Sequence, residues 1–460
     1  MSCFDHDQSR RAFLKRAGAL GMAGVAAPFV TSLGAIGEAA AATAGDYKAL
    51  VCVFLYGGMD YGNTLIPVDQ DGYAAYAAAR PLLALQKDAL AATALSADAG
   101  GGRKYALAPT MGSLKPLFDA GKLAPVLNLG TLVEPTTKAQ YLAKSVKLPP
   151  KLFSHNDQQS YFMASQPEGA PSGWGGRIGD VFQSGNGTAS VTCINATGNA
   201  VYLTGKSAIQ YAVGTGGPVA LLNNASTLYT SGAAQQALKA LMTTQPSHIM
   251  AAEHAAISKR ALDTYAQVNG ALASAPASGF TLFPSGNPLA DQLKMVARMI
   301  SVSQSLGAKR QVFFVGMGGF DLHDALLSKH PVLMGRVADA LRAFHDTTVA
   351  LGVDDKVTAF TASDFGRTLT SNDDGSDHGW GSMHFVLGGA VKGGKFYGKP
   401  PQIGNGTQDD VGQGRLLPST SVDQYAATLA SWFGVSAGDL STVLPNIGNY
   451  DASTRNLGFL

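Results

Sequence analysis

The sequence predicts an α/β protein built on a mostly parallel central sheet with helices on both faces, and three stretches carry that prediction. Residues 51–64 (VCVFLYGGMDYGNT), 311–324 (QVFFVGMGGFDLHD) and 356–389 (KVTAFTASDFGRTLTSNDDGSDHGWGSMHFVLGG) each run from an apolar, β-branched and aromatic strand into glycine and then into acidic side chains. Strands that are apolar throughout are covered on both faces, as in parallel sheets. The carboxyl ends of such strands share one face of the sheet, and ligands bind there.

Taken in order, the chain opens with Ser9-Arg10-Arg11-Ala12-Phe13-Leu14-Lys15, a weakly apolar Gly/Ala-rich run to about Ile36, and the small-residue tract Ala39 to Ala44. Paired arginines before such a run predict a twin-arginine export signal over residues 1–44, with the twin-arginine translocase as partner and a periplasmic or secreted product. Residues 45–460 are expected to form one α/β domain, with no later run apolar enough to span a bilayer. The whole chain has 34 Lys and Arg against 32 Asp and Glu; the first 44 residues hold four of the former and three of the latter, which leaves 30 against 29. That balance argues against nucleic acid as a partner, since phosphate-backbone binding relies on clustered positive charge. Of the cysteines, Cys52 and Cys193 lie in apolar, strand-like runs without metal-ligand spacing, and read as buried thiols that an oxidising compartment permits to pair.

Tyr47 to Tyr56 is the first strand, and Gly57-Gly58 frees the backbone to turn into Asp60, Asn63 and Thr64. Tyr73 to Ala89 is helical with a break at Pro81, Leu114 to Ala120 is a short helix, and Leu123 to Leu129 is the next strand. Residues 130–175 lack a long period, and the polar cluster from Phe153 to Ser160, which contains His155, reads either as a loop lining the active face or as a solvent-facing turn. A helix starts at Trp174 with Ser172 as a candidate cap. Short β-prone runs from Ser190 to Pro218 and Ala-rich helices to Pro276 form a β-rich and helical insertion around 190–280. Asn287-Pro288 opens an amphipathic helix, Gln311 to Val315 and Lys356 to Asp364 are strands separated by the helix Leu326 to His345, and Met383 to Leu387 and Ser421 to Phe433 supply a last strand and helix.

Asp60, Asp321, His323, Asp364, Asp377, His378 and His384 form an oxygen- and imidazole-rich set without thiolates. Such a set suits Zn²⁺ or Mn²⁺ first, and Mg²⁺ or Ca²⁺ by its carboxylates. The Asp321-x-His323 pair shares one side of an extended chain. The same aspartates also suit helix and turn caps, so convergence of the side chains separates the two uses. Arg367 has the geometry for a bidentate anion contact, or for a salt bridge within its loop. No G-x-S-x-G elbow is present, which disfavours a serine triad of the α/β-hydrolase kind.

The arginine signal together with FLYGGMDYGNT (54–64), GGFDLHDAL (318–326) and SDFGRT, DHGWG and VLGGAVKGG within 363–394 resembles the DUF1501 family of exported bacterial proteins, similar in turn to the alkaline phosphatase and sulfatase superfamily. The resemblance implies an alkaline-phosphatase-like three-layer sandwich and a metal-dependent hydrolase of phosphate or sulfate esters, with an anionic small molecule or polysaccharide ester as substrate. The alternative is a non-catalytic exported binding or envelope-assembly protein that keeps the fold. By position, Asp60, Asp321, His323, Asp364 and His378 resemble metal ligands, and Thr64 or Asn63 stands where a nucleophile is sought. Phe365 stands where the superfamily places a histidine, so a working site would be rebuilt around Asp377 and His384.

Overall fold

The computed structural model describes residues 47–221 and 227–460; the expected export signal lies outside them. The strands in chain order are β1 (Lys48–Leu55), β2 (Leu65–Pro67), β3 (Tyr105–Leu107), β4 (Leu123–Gly130), β5 (Cys193–Asn195), β6 (Tyr211–Gly214) and β7 (Gly217–Pro218), then β8 (Arg310–Met317), β9 (Val357–Ser363), β10 (Arg367–Ser371), β11 (Ser376–His378), β12 (Ser382–Gly388) and β13 (Thr420–Ser421). The helices are α1 (Gln70–Ala79), α2 (Lys115–Asp119), α3 (Lys138–Ala143), α4 (His155–Ala164), α5 (Trp174–Phe182), α6 (Gly232–Thr243), α7 (Ile249–Ala273), α8 (Pro288–Ser301), α9 (Leu326–Ala350), α10 (Val422–Phe433) and α11 (Leu440–Val443).

Nine strands form one sheet in the order β13-β4-β12-β9-β1-β8-β5-β6-β7, in which β12 and β7 run against their neighbours and the other pairings are parallel. Side chains alternate across β1: Val51 and Val53 join a core with Leu289, Leu293 and Leu341 of α8 and α9, while Cys52 and Phe54 join a second core with Trp174 and Ile178 of α5 and Tyr425 of α10. Two apolar cores on opposite faces of one sheet make a three-layer α/β sandwich, as the strand composition requires. The β-rich part of the expected insertion extends the edge of this sheet, because β5 pairs with β8 and β6 with β5. No described helix is long and apolar enough to cross a membrane.

Local chemistry sets the helix ends. The Asn287 side chain accepts from the amides of Leu289 and Ala290 at the start of α8, and Ser421 with Gln424 closes a capping box at α10. Two sequence expectations are corrected. The stretch from His155 is a helix, because Phe162 and Met163 on it are drawn into the second core of the sandwich. Gly173, with Ser172 one residue earlier, holds the cap position of α5; the carbonyl and hydroxyl of Ser172 accept from Arg177 instead. Cys52 and Cys193 are both buried and unbridged.

The register puts the site in place. Leu55 at the end of β1 is level with Met317 of β8 and Ser363 of β9, so three neighbouring strands release their loops at one height. Those loops pack so closely that two positions require glycine: a Cβ on Gly57 (φ +115°) would stand 2.3 Å from the Asp321 amide nitrogen, and one on Gly58 (φ +85°) 2.5 Å from the Phe365 ring.

Candidate metal centre

Three elements converge above these strand ends. The loop after β8 brings Asp321 and His323, the β10–β11 hairpin brings Asp377 and His378, and the start of α4 brings His155. Donor atoms of His155, Asp321 and His378 all lie within 4.8 Å of one another. His323 joins them, with Nε2 at 3.0 Å from Asp321 Oδ1 and 3.0 Å from His378 Nε2.

Each imidazole is oriented from behind. His155 Nδ1 lies 2.7 Å from Asp364 Oδ2, His378 Nδ1 2.7 Å from the Phe153 carbonyl, and His323 Nδ1 3.1 Å from Asp377 Oδ1, a carboxylate that Asn372 Nδ2 also holds at 2.7 Å. A carbonyl only accepts, so His378 donates from Nδ1 and, when neutral, turns its Nε2 lone pair inward; the carboxylates impose the same tautomer on His155 and His323. Two such lone pairs 3.0 Å apart repel unless a proton or a cation sits with them. His155 Nε2 is buried without a hydrogen-bond partner, 3.4 Å from Asp321 Oδ2. This orphaned nitrogen, the facing lone pairs and the ionised Asp321 fit a divalent transition ion, and the outer carboxylates and carbonyl are what metal-bound histidines require.

The electrostatics agree with the geometry. The Asp364 hydrogen bond raises the His155 pKa above its ordinary value against the opposing effect of burial. Burial lowers that of His378. Burial also opposes ionisation of Asp321, but the hydrogen bond and charge of Arg367 outweigh it and hold the carboxyl below the usual range. The Phe365 ring lies 4.8 Å from the His155 ring and 4.7 Å from that of His378, an apolar wall in the place where a histidine was sought. Lys151 and Phe153 have φ of 45° and 71°, so the segment that aims the Phe153 carbonyl at His378 is held in a left-handed backbone that side-chain-bearing residues seldom adopt.

The structure places the remaining sequence candidates elsewhere or in other roles. Asp60 is not at the centre: its carboxylate is 1% exposed and paired with Arg80 Nη1 at 2.9 Å. Asn63 accepts from Tyr76 and Arg80 and donates to the Leu83 carbonyl, which leaves its amide in no position to act as a nucleophile. Thr64 is fully buried, and its hydroxyl donates to the Asp60 carbonyl. His384 sits inside the sheet between Phe162 and Tyr425, where burial lowers its pKa to about 3. Asp364 stands behind His155 and also accepts from the Gly57 amide, so it orients an imidazole where direct coordination was expected. Asp377 does the same for His323. Arg367 is fully buried and committed to the Gly57 and Ser376 carbonyls and to Asp321, so its fork is closed to substrate. Phe153, Asn372 and Arg80 were missed, because a backbone carbonyl and partners distant in sequence leave no local signature.

Searched against curated proteins, the chain has no significant match. Among solved structures it is similar to the lipoteichoic acid synthase LtaP from Listeria monocytogenes, at 9% identity and a TM-score of 0.33 over 88% of this chain and 79% of that one, a likeness too slight to carry fold or function. The model of the family described as "Protein of unknown function (DUF1501)" matches residues 47–435, and the chain belongs to that family.

Proposed function

We propose that the chain is an exported, metal-dependent hydrolase-like protein that cleaves phosphate or sulfate esters. The observation that supports this is the convergence of His155, Asp321 and His378, with His323 beside them, on one open face at the strand ends. Zn²⁺ or Mn²⁺ is the best match to imidazole and carboxylate donors, and an ion held there supplies Lewis acidity and lowers the pKa of a bound water. Around it, Asp364, Asp377 and the Phe153 carbonyl fix the three tautomers, Arg367 keeps Asp321 ionised, and Phe365 walls off one side. With Thr64 sealed and the Ser363 hydroxyl donating to the Leu55 carbonyl, the attacking group is water rather than a side-chain hydroxyl.

The sealing of Asp60 and Thr64 favours a second reading, in which the chain binds an anionic envelope component without turnover. The deciding experiment is the metal content of the mature protein purified without chelator, beside His155→Ala and His378→Ala, followed by a screen of phosphate and sulfate esters. Stoichiometric metal, lost in both variants, with ester cleavage that depends on it, is the expected result. Metal without turnover of any ester supports the binding reading. A wild type that stays metal-free when Zn²⁺ and Mn²⁺ are supplied overturns the hydrolase reading and leaves the binding one.

A further inference from the structure

If the centre takes an anionic ester, one cation must remain free to receive the anion, and the positive charge nearest the cluster is already spent. A divalent ion and Arg367 would together be matched by the carboxylates of Asp321, Asp364 and Asp377 around them, so the inner ring is close to neutral. Lys329 is paired with Asp324, and Lys151 is 71% exposed beside Asp157. Arg415 differs from both. Its Nε donates to the His378 carbonyl at 2.9 Å, and its guanidinium lies over the Phe153 ring at 4.6 Å. These are the two residues whose mutual contact, His378 Nδ1 on the Phe153 carbonyl, fixes an inner histidine. Arg415 is therefore fastened to the wall of the centre by its stem, while its two terminal amino groups have no protein partner among the described residues.

We propose that Arg415 is the substrate-anion contact of this centre, receiving a tetrahedral phosphate or sulfate group on its free terminal amino groups; the proposal rests on the hydrolase reading above. A guanidinium held at Nε and stacked on an aromatic ring has lost most of its rotational freedom beforehand, so less entropy is lost when two parallel N–H groups meet two oxygens of one anion. The acidic tip of the hairpin, Asp373 and Asp374, does not share this place: it lines a separate cavity with Leu82, Leu83 and Leu327.

The test measures inorganic phosphate and sulfate binding by calorimetry, with and without supplied Zn²⁺, for the wild type, Arg415→Met and Arg415→Gln; the glutamine keeps a donor for the His378 carbonyl and carries the test should the methionine variant fail to fold. Metal content is measured on every sample. Phosphate or sulfate affinity reduced about tenfold or more in the variants, with metal content unchanged, is the expected result. Equal anion affinity overturns the role of Arg415 while leaving the metal centre standing. A wild type that binds neither anion overturns it as well. Loss of metal together with anion binding overturns it too, because Arg415 would then act only through His378. A wild type without metal that still binds phosphate through Arg415 upholds the contact and sinks the hydrolase reading, so the two fail separately.

Discussion

Asp60 and Asp321 both follow the glycine-rich ends of neighbouring parallel strands, yet Asp60 is 1% exposed against Arg80, whereas Asp321 is 44% exposed and faces three imidazoles. The difference lies in what reaches each carboxylate from elsewhere in the chain. The C-cap residue of α1 delivers Arg80 to Asp60, and Tyr76, Asn63, Thr64 and His330 close around the pair. For Asp321, Arg367 neutralises one side only, and the hairpin and α4 bring imidazoles to the other. One strand end became a sealed polar core, and its neighbour became an open site.

The sharpest break of this contrast is Arg80→Met. A buried ion pair is weak evidence for stability, but removing one partner strands the other charge in the interior. The expected loss is about 3–5 kcal/mol of unfolding free energy, read from denaturant titration. A double variant, Asp60→Asn with Arg80→Met, recovers much of it, since no charge is then left unpaired. A small loss in the single variant would mean that water reaches Asp60.

His330 sharpens the comparison from the same sealed cluster. Burial lowers its pKa to about 4, whereas the unfolded imidazole takes up a proton near its ordinary value of about 6.5. Between those values the unfolded chain binds more protons, so stability falls as pH drops from about 6.5 to about 4, by up to about 3 kcal/mol, and is fully present above that window. His384 adds a loss of the same sign. His330→Leu is expected to remove the His330 share, seen as a smaller shift in the urea midpoint between about pH 7 and about pH 4.5. An unchanged shift would place the proton uptake elsewhere.

The strands and their shared edge were legible because an apolar, β-branched run ending in glycine has few other readings. Asp321 and His323 were legible by spacing, and Asp377-His378 by their place in a polar loop after a strand. The same logic misplaced Asp60 and His384, for a physical reason. When both faces of a strand are buried, alternation no longer separates site from core, and a polar residue at a strand end looks the same whether it meets solvent or a distant arginine. His155 was named within a polar cluster, but the helix that carries it was hidden: that helix has no apolar stripe of its own, being buried on most sides, so periodicity reports nothing. Arg80 and the Phe153 carbonyl act across the fold, and only the packed structure pairs them with Asp60 and His378.

Asp364→Asn tests the finest part of the contrast, since Asp364 is as buried as Asp60 but serves the open site through His155. The variant keeps the shape of the side chain and removes the charge that fixes the His155 tautomer. Metal affinity is expected to weaken by about 10- to 100-fold, measured by competition with a chromophoric chelator. In the metal-free protein the His155 resonance should titrate lower than in the wild type, because the Asp364 hydrogen bond is the leading cause of its elevation. That elevation stabilises the fold at pH below the unfolded imidazole value and is lost as pH rises through the raised one, so the variant should lose stability on the acid side and little on the alkaline side. Asp60→Asn is the matched control: it disturbs a carboxylate buried to the same degree and should leave metal affinity where it was. Equal weakening in both variants would mean that the two strand ends are coupled through Gly57 and Arg367, and that the sealed cluster belongs to the site after all.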